Sequence, residues 1–313
     1  TLPGRDPAPD AGSVTTDRGT RVIVGLDGSD ESRSALDWAI RAAGRNGSVH
    51  AIHAVTPLTE LAVAAAQIDS APMVEHRHAD LTAWITPADD RQLDVRRSVI
   101  EDDPAAALLR VADDVDADLI VVGVHARSRL EPRTLGRVTT QLVHRTHRPL
   151  VVVRPGPDLP LDEGSVVVAG VGNGPATRAA LAWAAGFADS HGTALSLIHA
   201  IGTRPVFGED GLLDVVAFYV DRSLLHEWAL DDLEQIADEL QKATEHEVPI
   251  SWSSPDGRTG PALVDAGADA GLLVVGRHDG PAGAGRPMTA ALHHVLTHAP
   301  CPVVVVPVVE TDG

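Results

Sequence analysis

The sequence predicts an α/β chain built from two tandem copies of one unit, each a five-stranded, mostly parallel sheet with helices on both faces. Three observations predict it. A length of 313 residues favours about two domains. The chain is 44% apolar but only 3% aromatic, so Val, Leu, Ile and Ala must fill the interior. A valine-rich interior suits parallel strands buried on both faces. The third observation is an internal repeat. Val22 to Ala39, VIVGLDGSDESRSALDWA, aligns with Val167 to Ala184, VVAGVGNGPATRAALAWA. Arg33 and Arg178, Leu36 and Leu181, and Trp38 and Trp183 fall in register. IHAV at Ile52 then matches IHAI at Ile198, LIVVGVHARS at Leu119 matches LLVVGRHDGP at Leu272, and RPLVVVRP at Arg148 matches CPVVVVPV at Cys301.

In the first copy, Arg21 to Asp27 is a β-branched run ending in Asp-Gly-Ser and reads as a strand. Asp30 to Arg45 is a helix with Ala35, Leu36, Ala39 and Ile40 on one face and Asp30 as its cap. Val49 to Val55 is the second strand, and Leu61 to Trp84 a looser, Ala-rich helical region. Leu93 to Val99 alternates as a third strand. Asp103 to Val115 is a helix with Pro104 in its first turn. Leu119 to Val124 is the fourth strand. A loop, a helix near Arg137 to His147 and a final strand, Leu150 to Arg154, complete the copy. The second copy repeats the order, with a longer middle helix inside Leu212 to His246. Alternating strand and helix force right-handed crossovers and a parallel sheet. The expected layout is a disordered arm over 1–19, domains over 20–154 and 165–309, and a linker over 155–164.

A formal charge of −19 excludes broad contact with nucleic acid or anionic lipid, which are polyanions. Lys242 is the only lysine, a compositional bias rather than a feature of the fold. Cys301 is the only cysteine, so no intrachain disulfide is expected, and its place before a valine run reads as buried packing. No apolar run reaches the length of a membrane helix and no leader pattern opens the chain, so the expected location is cytoplasmic.

In open α/β sheets, ligands bind beyond the carboxyl ends of the strands, where strand order reverses. Two turns of the first copy meet that rule: Gly25-Leu26-Asp27-Gly28-Ser29 and the loop from Gly123 to Gly136. Glycines there admit an anion to the backbone N–H groups, and the following helix adds a favourable dipole. Both turns resemble the universal stress protein family. Its ATP-binding members carry an Asp after strand one and Gly-x2-Gly-x9-Gly-Ser/Thr between strand four and the last helix. The resemblance covers nearly the whole chain, twice. It implies Rossmann-like (adenine nucleotide α-hydrolase-like) domains, ATP as ligand and halves paired within the chain about a pseudo-twofold axis, with the two final strands as the expected junction, and it is compatible with a homodimer. By position, Asp27 would contact the nucleoside, Gly123 and Gly136 keep the first and third motif glycines, Ala126 replaces the second, and Arg137 replaces the Ser/Thr. The resulting candidate site comprises Gly25, Asp27, Gly28, Ser29, Val55, Gly123, Ala126, Arg127, Gly136, Arg137 and Val138. Arg127, Arg129, Arg133 and Arg137 either face phosphate or pair with acids of the neighbouring half.

The second copy departs further. Gly172 stands at the Asp position, Asp279 at the second glycine, Thr289 at the third and Ala290 at the Ser/Thr. Gly276 is kept, and Gly280, Gly283 and Gly285 are out of register. An acid against phosphate opposes binding, so the second copy is read as a structural partner.

Other residues fit structural roles. His144 with His147, and His294 with His298, have helical spacing but no completing ligand, so no metal site is expected. His53 and His199 recur in register as half-buried, satisfied side chains. Asp102 and Asp103 are caps, and Ser29 lies in no nucleophile elbow. A stress-response protein binding ATP or a related adenine nucleotide in the first copy is therefore the leading reading. A degenerate interaction module without nucleotide is the second. A slow ATPase, with neither base nor nucleophile in view, comes last.

Overall fold

The computed structural model describes residues 19–44, 46–56, 94–124, 135–154, 165–172, 174–202, 222–277 and 288–308. The expected arm but for Gly19, the linker and the Ala-rich region Leu61 to Trp84 lie outside the described residues, as do Ala126, Arg127, Arg129, Arg133, Asp279, Gly280, Gly283 and Gly285.

The first half runs β1 (Arg21–Gly25), α1 (Asp30–Ala43), β2 (Ser48–Val55), β3 (Asp94–Glu101), α2 (Pro104–Asp114), β4 (Leu119–Gly123), α3 (Arg137–Arg145) and β5 (Leu150–Val153). The second runs β6 (Val166–Gly170), α4 (Pro175–His191), β7 (Ala194–Ile198), α5 (Arg222–Ala243), β8 (Ile250–Ser253), α6 (Thr259–Ala266), β9 (Leu272–Arg277), α7 (Ala290–His298) and β10 (Val303–Pro307). The expected strands and helices are present among the described residues, with ends shifted by one to a few residues.

The two five-stranded units do not remain separate sheets. They form one ten-stranded sheet of order β3-β2-β1-β4-β5-β10-β9-β6-β7-β8. Every neighbouring pair within a half is parallel. The halves meet where β5 and β10 pair antiparallel, with Val152 opposite Val303, Val151 opposite Val304 and Leu150 opposite Val305. The final strands are thus the junction that the sequence predicts. All six residues are at most 1% exposed, and burial of such aliphatic side chains contributes about 1.5–3 kcal/mol each.

Alternation of side chains across the sheet gives two cores, and each spans both halves. One face carries α1, α4 and α5 and includes Trp38, Ala39, Val151, Leu181, Phe187, Leu233 and Val304. The other carries α2, α3, α6 and α7 and includes Ile23, Leu108, Leu142, Val152, Leu263, Val295 and Val303. On the first face, Trp38 of α1 stacks on Phe187 of α4 with ring centroids 6.3 Å apart, and Trp183 stacks on Phe187 at 5.0 Å. His191 closes that stack, 3.9 Å from Phe187, and bonds to the backbone of Phe187 and of Ala42 in the other half. Cys301 is 1% exposed, and burial pushes its thiol up to about 12. No helix among the described residues is long and apolar enough to cross a membrane.

Candidate functional site

Strand order reverses between β1 and β4, so the carboxyl ends of these strands open a crevice. The loop after β1 is fixed from below. Leu26 N–H donates to the Ile52 carbonyl at 2.8 Å, and His53 Nδ1 donates to the Leu26 carbonyl at 2.7 Å. The second half repeats the device: Val171 N–H bonds Ile198 O at 2.8 Å, and His199 Nδ1 bonds Val171 O at 3.1 Å. The paired histidines are therefore loop anchors, satisfied by backbone.

Gly28, at φ 84°, turns the chain where a side chain would be strained. Ser29 then enters extended geometry and caps α1, its Oγ accepting from Ser32 N–H at 3.1 Å. This corrects the expectation for Asp30, which is the first helical residue and an ion-pair partner of Arg33 at 2.8 Å. Asp27 Oδ1 accepts from Ser29 N–H at 3.0 Å and from Ser29 Oγ–H at 2.5 Å. An exposed carboxylate is thereby held at the mouth of the crevice on a preorganised turn. Gly172, its counterpart, brings no acceptor. Gly25 lies beneath: a Cβ there would reach Leu108 at 3.2 Å.

Two motif glycines differ in what requires them. A Cβ on Gly123 would lie 2.4 Å from Glu31 O and 2.7 Å from Ser32 N. Strand β4 therefore needs a glycine to pass the first turn of α1. Gly276 meets the same demand, 2.3 Å from Ala176 O, although its half has lost the rest of the motif. Gly136 is different: among the described residues a Cβ there would meet nothing within 4 Å, at φ −63°. It caps α3 without contributing a side chain. Its counterpart, Thr289, closes α7 on itself, Oγ1 accepting from Leu292 N–H at 3.2 Å. One of the orphan N–H groups of a helix start is thus met by a side chain in the second half, whereas Gly136 has no side chain to meet its counterpart in the first.

Arg137, at the first position of α3, pairs with Asp103 at 3.2 Å, its side chain 79% exposed. Asp103 belongs to its own half, so the alternative of an acid on the neighbouring half fails for this arginine. Asp103 also caps α2, accepting from Ala106 N–H at 3.3 Å, as the sequence predicts. Asp102 pairs with Arg110 at 3.1 Å, and its N–H donates to Val55 O at 3.1 Å, which places Val55 at the same edge. Val138 is half-buried against the second core. The structure so gathers Gly25, Asp27, Gly28, Ser29, Val55, Gly123, Gly136, Arg137 and Val138 at one edge of the sheet.

No group of three or more His, Cys, Asp or Glu among the described residues is placed to hold a metal. Ser29 Oγ is committed to Asp27 and Ser32. Two grooves of about 380 and 480 Å³ lie at the opposite edge, lined by Arg21, His50 and Arg96 and by His144, His147 and Arg148, and touch none of the site residues.

A doubly wound domain repeated in tandem, with an Asp turn and a glycine-capped helix at its switch point, defines an α/β protein of the Rossmann-like class. The chain belongs to the universal stress protein family, whose sequence model matches residues 19–154 and 165–307. A universal stress protein of Mycobacterium tuberculosis is 28% identical over 297 residues, covering 91% of this chain and 96% of its own. One from Mycolicibacterium smegmatis is 26% identical over 304 residues, covering 91% and 96%. The crystal structure of a universal stress protein from Archaeoglobus fulgidus shares the fold at TM-score 0.62 and 16% identity, covering 94% of this chain and 98% of that one.

Proposed function

We propose that this stress-response protein binds ATP or a related adenine nucleotide in its first half only, and that binding rather than catalysis is its activity. The observation that carries the proposal is the contrast between Gly136 and Thr289. Packing explains Gly123 and Gly276, but nothing within the described residues requires a glycine at 136. An open helix start opposite an anchored Asp27 is the arrangement that suits a ligand with a polar nucleoside and an anionic tail. Thr289 and Gly172 remove both features from the second half, which then serves as the structural partner. The halves act as domains over 20–154 and 165–309, joined by 155–164, in the cytoplasm.

The test is to denature purified protein and chromatograph the supernatant for adenine nucleotide, alongside thermal unfolding with ATP. A ligand at about 100 times its dissociation constant adds about 2.7 kcal/mol to stability. Asp27→Ala should abolish both the released nucleotide and the thermal shift. No nucleotide and no shift at millimolar ATP would sink the reading in favour of an interaction module without nucleotide.

A further inference from the structure

On the face that carries α3 and α7, each half reaches into the other with one arginine. Arg154, just past β5, donates from Nη2 to the carbonyl of Leu296 in the last turn of α7. Arg277, the last residue of β9, donates from Nη1 to the carbonyl of Val143 in the last turn of α3, at 2.5 Å. Position 277 is conspicuous because the repeat aligns it with Val124, a residue 2% exposed. Arg277 is itself 7% exposed. Burying a guanidinium is costly unless it is hydrogen-bonded and set against negative potential. The carbonyl end of a helix supplies both.

The helix held in this way is the one that begins at the candidate site. Gly136 caps α3, and Arg137 and Val138 are its first two residues. Seven residues separate Gly136 from Val143, about 10 Å at 1.5 Å per residue, within one stiff helix. Behind Arg277 there is no slack either. Gly276 lies against the first turn of α4, where a Cβ would come within 2.3 Å of Ala176 O. A shift of α3 therefore pushes through Arg277 into β9 and the start of α4.

We propose that Arg277 is a positioning residue that couples the first-half site to the second half, so that a nucleotide settling on the start of α3 is felt in β9 and α4. The inference rests on the reading that the first half binds adenine nucleotide. It makes the second half the recipient of the signal as well as a scaffold. Linkage requires the effect to be reciprocal: loosening the Arg277 end changes affinity at the Gly136 end.

The experiment is an ATP titration of the full chain followed by NMR, observing the backbone amides and the Arg277 Nε–H resonance. Wild-type protein should show the Ser29 and Ser32 amides, the Arg277 resonance and the Ala176 and Thr177 amides all moving with one saturation curve. Arg277→Met keeps the length and loses the donor. It should retain the Ser29 and Ser32 shifts, lose those at Ala176 and Thr177, and bind ATP about 5-fold more weakly, the low end of typical coupling. Arg154→Met removes the other crossing contact without touching α3. It should keep the Ala176 response, which separates coupling from general loosening of the junction. If Ser29 and Ser32 move in wild type while Arg277 and Ala176 do not, the coupling is overturned and nucleotide binding stands. The coupling is equally overturned if Arg277→Met preserves the full response. If no amide moves at millimolar ATP, the functional reading falls and the coupling falls with it.

Discussion

Replacing Gly123 by alanine separates the glycines that packing requires from Gly136, the one proposed to serve a ligand. The added methyl would sit 2.4 Å from Glu31 O, 2.5 Å from Glu31 C and 2.7 Å from Ser32 N. All three are backbone atoms of the first turn of α1, and α1 is fixed by Ser29 at its start and by fully buried Trp38 in its middle. Neither partner yields by rotating a side chain, so the strain falls at the top of the usual overpacking range, about 3 kcal/mol. At about 2–4 °C per kcal/mol for domains of 150–250 residues, that is a fall in Tm of about 6–12 °C. Gly276→Ala should fall by a similar amount, because its methyl would meet Ala176 O at 2.3 Å. Gly136→Ala meets nothing and keeps an allowed φ, so a small capping loss and a small gain from a stiffer unfolded chain leave it within about 1 kcal/mol of wild type. The assay is thermal unfolding by circular dichroism without and with ATP. Gly136→Ala should keep the Tm and lose part of the ATP shift. Wild-type stability of Gly123→Ala, or a large loss in Gly136→Ala without ligand, would refute the division.

Ser29→Ala removes the cap of α1 and one partner of Asp27, and should cost about 1 kcal/mol in chemical denaturation. His191 is held below its usual range by burial between α4 and α1, against opposing hydrogen bonds to Phe187 and Ala42. Its stabilisation is therefore present above the unfolded value of about 6.5 and is lost as pH falls through the lowered folded value. His50 and His294 shift in the same direction, each chiefly through burial, with Arg96 beside the first and His298 beside the second. Tm measured from pH 7.5 down to 5 should drop, and His191→Phe should flatten part of that slope. Cys301, with its thiol pushed up to about 12, should resist a water-soluble thiol reagent at pH 8 in the native state and react fully in denaturant.

The repeat made the order of strands and helices along the chain legible, because that order follows from residue periodicity and from copying one unit twice. The β5–β10 junction was legible through the family resemblance, and the strand order within the sheet came only with the structure. Asp27, Gly123 and Gly136 stood out as a candidate site through their resemblance to the family's motif, and the structure puts them at or just beyond strand ends and at a helix start. Ser29 as cap was hidden because Asp30 is an equally good capping type. The structure gives the extended cap geometry to Ser29, the residue that follows the positive-φ Gly28. The partner of Arg137 was hidden because Asp103 lies 34 residues away and becomes a neighbour only when α2 and α3 pack side by side. The double duty of Gly123 was hidden as well, since a motif glycine and a packing glycine are the same letter. Arg277 left one trace: an arginine where the other copy has a core valine.

Two identical chains meeting along their final strands would carry every substitution twice, once on each side of the axis. The covalent bond between the β5 and β10 halves removes that constraint. Thr289 closes one helix start while Gly136 stays open across the axis, and Arg277 has no twin at position 124. Joining the copies lets one protein hold two unlike sides in a fixed ratio, as the proposed division into a receiving and a responding half requires. A fused chain can evolve that division of labour one residue at a time, and a symmetric pair cannot.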